Sequence, residues 1–177
     1  MMPVEDFEAL ARSCPETVTL ELINGKLEVK AVRDGDHGTI FMWLLRQCLR
    51  HRPDLDLHPE QGLMVEAHRQ GRARPYGALA PRRHFAGQGE WAPTSGVLMT
   101  VDMTSYDDDH ASACPYAAAG VPLRLLIDRR SGTFAVRSEP DSVRYRHQRL
   151  YDFGEAVALP HPVSITVNTE ELKNYTG

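Results

Sequence analysis

GVLMTVDMTS, residues 96–105, is the stretch on which the reading of the fold turns. Apolar residues run almost unbroken from Val97 to Met103, and Asp102 is the only charge among them. A near-continuous apolar run bounded by turn residues marks a strand buried on both faces, inside a sheet covered on each side. The same run makes Asp102 a candidate. A carboxylate in a buried strand is costly unless it is paired, hydrogen-bonded or metal-bound. A structural role, such as bonding a neighbouring turn, is the alternative.

Outward from this strand the chain alternates helix and strand signals. VEDFEALAR (4–12) places Val4, Phe7 and Leu10-Ala11 on one helical face. TLELINGKLEVKAV (19–32) has two alternating runs around Asn24-Gly25, the favoured type I′ hairpin pair. Asp34-Gly35-Asp36 supplies a turn and an N-cap for a helix over 37–52, with Ile40, Leu44, Leu45 and Cys48 inward and Pro53 ending it. LHPEQGLMVEA (57–67) reads as one strand bulged at Gly62, RPYGALAP (74–81) as a short strand, and Arg82 to Ser95 as an irregular loop. In ASACPYAAAG (111–120), Pro115 interrupts a poor helix that Gly120 ends. VPLRLLID (121–128) and GTFAVRSE (132–139) form a second hairpin, and strand character returns at 144–151 and 163–167. Asn168 then caps a last turn, with Glu171 three residues on. These elements make one α/β domain, residues 1–177, with a mixed central sheet flanked by helices.

Composition excludes some classes. Of 177 residues, 42% are hydrophobic and 25% charged, the balance of a globular domain. The longest apolar run, Ile40 to Leu45, is far short of the roughly 20 residues of a membrane span. The acidic start MMPVEDFEAL is unlike a secretory signal, so a cytoplasmic protein with no membrane partner is expected. Cys14, Cys48 and Cys114 are scattered, which predicts free thiols rather than disulfides or a zinc site. The net charge of -4 is no footprint for nucleic acid. One stripe opposes it: Arg69, Arg72, Arg74, Arg82 and Arg83 occur with no acid between Ala67 and Gly89. It reads either as a phosphate-tracking surface or as a solvated loop.

Further candidates follow from position. Glu21 shares a strand face with Thr19 and Ile23, and is either solvent-facing or part of a site. His37, at the start of the long helix, is either a general base or a group bonding nearby backbone. Asp107-Asp108-Asp109 is an acidic loop. There is no Gly-x-Ser-x-Gly elbow and no phosphate-cradling glycine loop.

Taken together, Glu21-Leu22-Ile23-Asn24-Gly25, Asp34-Gly35-Asp36-His37-Gly38, Arg74-Pro75, the strand Val97 to Ser105, and Tyr116-Ala117-Ala118-Ala119-Gly120-Val121-Pro122 with Leu125-Leu126-Ile127-Asp128 form a pattern. The chain resembles the Uma-two family of restriction-type endonucleases, in the PD-(D/E)XK nuclease superfamily, over most of its length. The resemblance implies a restriction-endonuclease-like mixed sheet with catalytic acids on adjacent strands. It also implies that an Asp after Arg-Pro and a Glu on the next strand hold Mg²⁺, while a Lys orients the attacking water. Here Tyr76 stands where the Asp is expected, Asp102 where the Glu is expected, and Ser112 where the Lys is expected. Neutral tyrosine is a poor Mg²⁺ ligand, and losing one group that stabilises a transition state costs about 10²-fold or more.

The expectation is therefore a nuclease fold that has lost its metal-dependent site, with no cofactor. It is repurposed as a metal-independent acid/base enzyme of cyclase, isomerase or dehydratase type, acting on a small organic substrate through Tyr76 and Asp102 with Glu21 and His37 at the rim. One alternative is an inactive pseudo-nuclease that binds nucleic acid or protein through the arginine stripe. Another is an active Mg²⁺-dependent nuclease with Arg124 in the lysine's place. A homodimer is expected by analogy alone.

Overall fold

The structure is a computed structural model describing residues 1–16, 18–30, 34–65, 71–104 and 114–176. In chain order its elements are α1 (Val4–Ser13), β1 (Thr19–Ile23), β2 (Lys26–Lys30), α2 (Gly35–His51), β3 (Leu55–Pro59), β4 (Gly62–Val65), β5 (Gly71–Ala73), β6 (Gly77–Pro81), β7 (Trp91–Pro93), β8 (Met99–Thr104), α3 (Pro115–Ala118), β9 (Leu123–Asp128), β10 (Thr133–Pro140), β11 (Tyr145–Asp152), β12 (Ala156–Leu159) and β13 (Ile165–Asn168). A 3₁₀ turn, Glu170–Tyr175, follows. No described helix is long and apolar enough to cross a membrane.

The strands form two main sheets rather than the one expected. The first runs β2-β1-β5-β4-β7, the second β11-β10-β9-β8-β6-β3, and β12-β13 is a separate hairpin. Both main sheets are mixed, with β4–β7 and β8–β9 as their parallel pairs. Near-continuous apolar runs suit β6, β8 and β9, the central strands of the second sheet, whose residues are mostly buried on both faces. Leu44, Ile40 and Trp43 of α2 pack on Met99, Val101, Leu125 and Ile127 of the second sheet. Ile23, Leu63 and Ala73 of the first sheet meet Ala78 and Ala80 of the second, with Tyr116 and Ala117 of α3 in the same core. Phe7 of α1 closes on Leu20 and Leu22.

Local chemistry accounts for the elements. Asn24 and Gly25 both have positive φ, 52° and 71°, as a two-residue I′ turn demands. That turn sets the register Ile23↔Lys26, Glu21↔Glu28 and Thr19↔Lys30. Asp34 caps α2 by accepting from the His37 N–H at 2.9 Å. Pro115 starts α3 instead of interrupting it, because at the first helical position its missing N–H is no loss.

Other expectations are corrected. The bulged strand over 57–67 is two strands in different sheets, β3 and β4, and the chain reverses at Glu60 with φ 55°. Gly62 does not bulge a strand; it makes room for a neighbour. A Cβ there would lie 2.5 Å from the Glu90 carbonyl and 2.6 Å from the Trp91 ring. The strand over 74–81 begins only at Gly77, since Arg74-Pro75-Tyr76 is the crossing from the first sheet to the second. The loop to Ser95 contains β7, and the tail has an additional strand, β12. Asn168 accepts from the Glu170 N–H at 2.9 Å, but the cap residue of the last turn is Thr169.

Candidate functional site

The crossing at Arg74-Pro75-Tyr76 brings the sheets together, and acids from both meet beside it. Alternation along β1 sends Leu20 and Leu22 towards α1, and sends Glu21 with Ile23 towards the second sheet. Asp102 approaches from β8. Glu21 and Asp102 are each 6% exposed. Both therefore need partners.

The chief partner is Lys30, at the end of β2. Its ammonium donates to the Arg74 carbonyl at 2.7 Å and to Asp102 Oδ1 at 3.0 Å, and it lies 3.1 Å from Glu21 Oε1. These contacts employ all three donors of an ammonium. Asp102 Oδ2 accepts from Arg124 of β9 at 3.2 Å. The crossing itself is bonded into the cluster: the Arg74 N–H donates to Glu21 Oε1 at 2.7 Å and the Tyr76 N–H to Asp102 Oδ1 at 3.3 Å. Two carboxylates and two cations thus form a closed network tied to the backbone.

The network sorts its members by charge state. Burial would raise Asp102, but Lys30 and then Arg124 outweigh it and hold the carboxyl below its ordinary value. Glu21 goes the other way, because burial raises it more than Lys30 lowers it, and Asp102 adds to the rise. Burial would lower Lys30, but Asp102 and Glu21 together carry it above its ordinary value. Tyr116 of α3 lies under the Arg124 guanidinium, whose carbon is 5.3 Å from the ring centroid. Burial, then the charges of Asp102 and Glu21, push its phenol well up, so it stays protonated. Cys114 Sγ is 3.5 Å from Arg124 NH1.

The structure brings Glu21 and Asp102 into one cluster and treats Tyr76 and His37 differently. What joins Tyr76 to Asp102 is its backbone N–H. Its ring packs edge-on to Phe41 of α2 at 5.4 Å and near His37 at 6.1 Å between centroids. His37 belongs to a second group at the α2 N-terminus. Its Nδ1 lies 2.7 Å from Asp34 Oδ1 and 2.8 Å from Arg129 NH1, and Arg129 also bonds Asp34 and Asp36. The hydrogen bonds of the His37 side chain and N–H, then that of Arg129, hold the Asp34 carboxyl far below its usual range.

One expectation is corrected here. A site with its lysine missing is not what the fold builds, because Lys30 reaches it from the hairpin, far in sequence from the expected place at Ser112, which lies outside the described residues. The described members of the arginine stripe divide between paired and exposed side chains. Arg72 pairs with Glu8 at 3.0 Å, and Arg74 pairs with Glu90 at 3.0 Å and lies over Trp91 at 4.7 Å. Arg82 and Arg83 are exposed, while Arg69 and the acidic loop Asp107-Asp108-Asp109 lie outside the described residues.

A metal of the kind the nuclease resemblance implies needs free oxygen donors, Mg²⁺ chiefly carboxylates and waters. As built, Glu21 Oε1 and both oxygens of Asp102 already face N–H donors, and the nearest cations are 3.0 to 3.2 Å away. The donor set does not fit a divalent ion in this arrangement. Among the described residues no group of three or more His, Cys, Asp or Glu is placed to hold one.

Two sheets, flanking helices and buried acids at their junction define a nuclease-like α/β fold. The whole chain superposes on a crystal structure described as that of a putative nuclease belonging to DUF820 from Anabaena variabilis ATCC 29413, with TM-score 0.68, 14% identity and 100% of both chains covered. The Uma2 family model, described as "Putative restriction endonuclease", matches residues 4–170, and the chain belongs to that family. No curated protein matches it.

Proposed function

We propose that this Uma2 member has lost metal-dependent phosphodiester cleavage and uses its desolvated cluster as a metal-independent acid–base site for a small organic substrate. One observation carries the reading: the Lys30 ammonium lies between Glu21 and Asp102, 3.1 and 3.0 Å from them, and Arg124 adds a second cation at Asp102, so the acids are already paired from within. Glu21 is the group suited to exchange a proton, because burial moves its carboxyl up towards the working range of a general acid or base. Asp102 stays ionised and anchors both cations. Tyr116 keeps its proton and is a hydrogen-bond donor to an oxygen of the substrate. Tyr76 packs on Phe41 and His37 and reaches Asp102 through its backbone N–H. A reaction of isomerase, cyclase or dehydratase type needs no more than such groups.

A second reading, a non-enzymatic scaffold, is favoured by the use of every Lys30 donor and by the three bonds that tie the crossing to Glu21, Lys30 and Asp102. Binding of nucleic acid through residues 69–83 has less support, since Arg72 and Arg74 are engaged inside the molecule.

The test is incubation of the pure protein with supercoiled plasmid in Mg²⁺ or Mn²⁺, alongside an NMR titration of the Glu21 carboxyl. No nicking and a Glu21 midpoint above that of an ordinary glutamate are expected. Nicking that disappears in Asp102→Ala would restore the nuclease reading. An ordinary Glu21 midpoint would leave the scaffold reading in possession.

A further inference from the structure

The two main sheets end in β2, β7, β3 and β11, and these edges are not alike. β7 has three residues, β3 is partly buried, and β2 carries both signs of charge in Lys26, Glu28 and Lys30. β11 is the longest, with eight residues, and among the described residues it pairs only with β10. From Arg146 to Leu150 every residue is exposed. Alternation puts His147 and Arg149 on one face of the strand and Arg146, Gln148 and Leu150 on the other. Leu150 is 65% exposed. No acid interrupts the run from Arg144 to Leu150, and among the described residues Arg144, Arg146 and Arg149 form no ion pair. Asp141, in the turn that leads into the strand, is taken up by the N–H groups of Val143 and Arg144.

We infer that β11 receives an added strand from a protein partner, an acidic extended peptide with apolar residues among its carboxylates. An edge strand leaves alternate N–H and C=O groups open on its outer side, and an extended peptide meets them in the pattern of a ladder. The arginines decide which peptide. Two copies of β11 would bring basic strand against basic strand, and like charges opposed across a ladder are destabilising. An acidic strand finds one arginine on each face, Arg146 and Arg149, with Leu150 as an apolar contact on the Arg146 side. The Arg149 guanidinium is steadied over the Tyr151 ring, 5.2 Å from its centroid. β9 and β10 separate this edge from β8 and Asp102, so the inference does not rest on the proposed function.

The test is fluorescence anisotropy of a labelled synthetic peptide of repeated glutamate–glutamate–valine, which carries acids on both faces when extended. It compares the native protein with the double variant Arg146→Glu, Arg149→Glu, with folding verified by thermal melting. Arg146→Gln combined with Arg149→Gln provides the measurement if the charge reversal does not fold. The peptide is expected to bind the native protein and to bind the folded variant roughly tenfold more weakly. Two alternately N-methylated forms of the peptide, each blocking one of its edges, report the mode of binding. One form should bind and the other should not, because an added strand pairs through a single edge. No binding of the unmethylated peptide, equal binding of both methylated forms, or equal binding of a lysine–lysine–valine peptide overturns the inference. So does tighter binding of a single-stranded oligonucleotide that the variant loses, which would make β11 a nucleic-acid surface. Self-association of the native protein that the variant loses would make the occupant a second copy and overturn it as well.

Discussion

Lys30 and Asp102 are 72 residues apart in the chain and 3.0 Å apart in space, and their contact joins the two main sheets. Asp102 is 6% exposed, and the Lys30 side chain is 28% exposed. Removing either partner leaves a charge with poor access to water. Lys30→Met and Asp102→Asn are each expected to destabilise the protein by about 1–3 kcal/mol. The double variant should lose less than the sum, with a coupling of about 0.5–3 kcal/mol. Urea unfolding of the four proteins checks this, and additive losses would show that the contact contributes nothing.

The two buried acids should tilt stability in opposite directions with pH. The folded value of Asp102 lies below its ordinary 3.8, so its contribution is present above pH 3.8 and is lost as pH falls through the lower folded value. The folded value of Glu21 lies above its ordinary 4.5, so its contribution is present below pH 4.5 and is lost as pH rises through the higher folded value. Asp102→Asn should accordingly flatten the acid limb of stability, and Glu21→Gln should flatten the decline above pH 4.5. Urea midpoints measured across this range decide the matter. A Glu21→Gln profile parallel to that of the native protein would refute the assignment.

Tyr76 is expected to behave as a packing residue. Its ring is buried against Phe41 and His37. Tyr76→Ala should cost about 3–5 kcal/mol, as large aromatic truncations in cores do. Tyr76→Asp, which restores the acid that the resemblance leads one to expect, should be destabilised and should not nick plasmid in Mg²⁺, because Lys30 and Arg124 still neutralise Asp102. Thermal melting and the plasmid assay together test this. Nicking by Tyr76→Asp would mean that the cluster accepts a metal after all.

Gly62→Ala probes the junction of β4 and β7. The new methyl group would meet the Glu90 carbonyl at 2.5 Å and the Trp91 ring at 2.6 Å. Backbone has to move, at an expected cost of about 1–3 kcal/mol. A melting temperature equal to that of the native protein would show that the strands slide apart freely.

Much of this molecule was legible in the chain itself, because its signals are local. Asn24-Gly25 set a hairpin, Asp34 set a helix start, and the apolar run around Asp102 set a buried strand and marked the carboxylate within it. Each depends on backbone conformation or on periodicity over a few residues. The hairpin also held an unread signal: a two-residue turn puts Lys30 opposite Thr19, on the face and within diagonal reach of Glu21. Folding alone decided the rest. Nothing local tells Arg74-Pro75-Tyr76 to cross between sheets, sends the ring of Tyr76 under α2, or sets Lys30 against Asp102. Those outcomes depend on which layers pack against which, and packing is a sum over residues distant in sequence. The charge state of Glu21 is of the same kind, since one carboxyl in one strand answers to burial and to cations that only the assembled sheets supply.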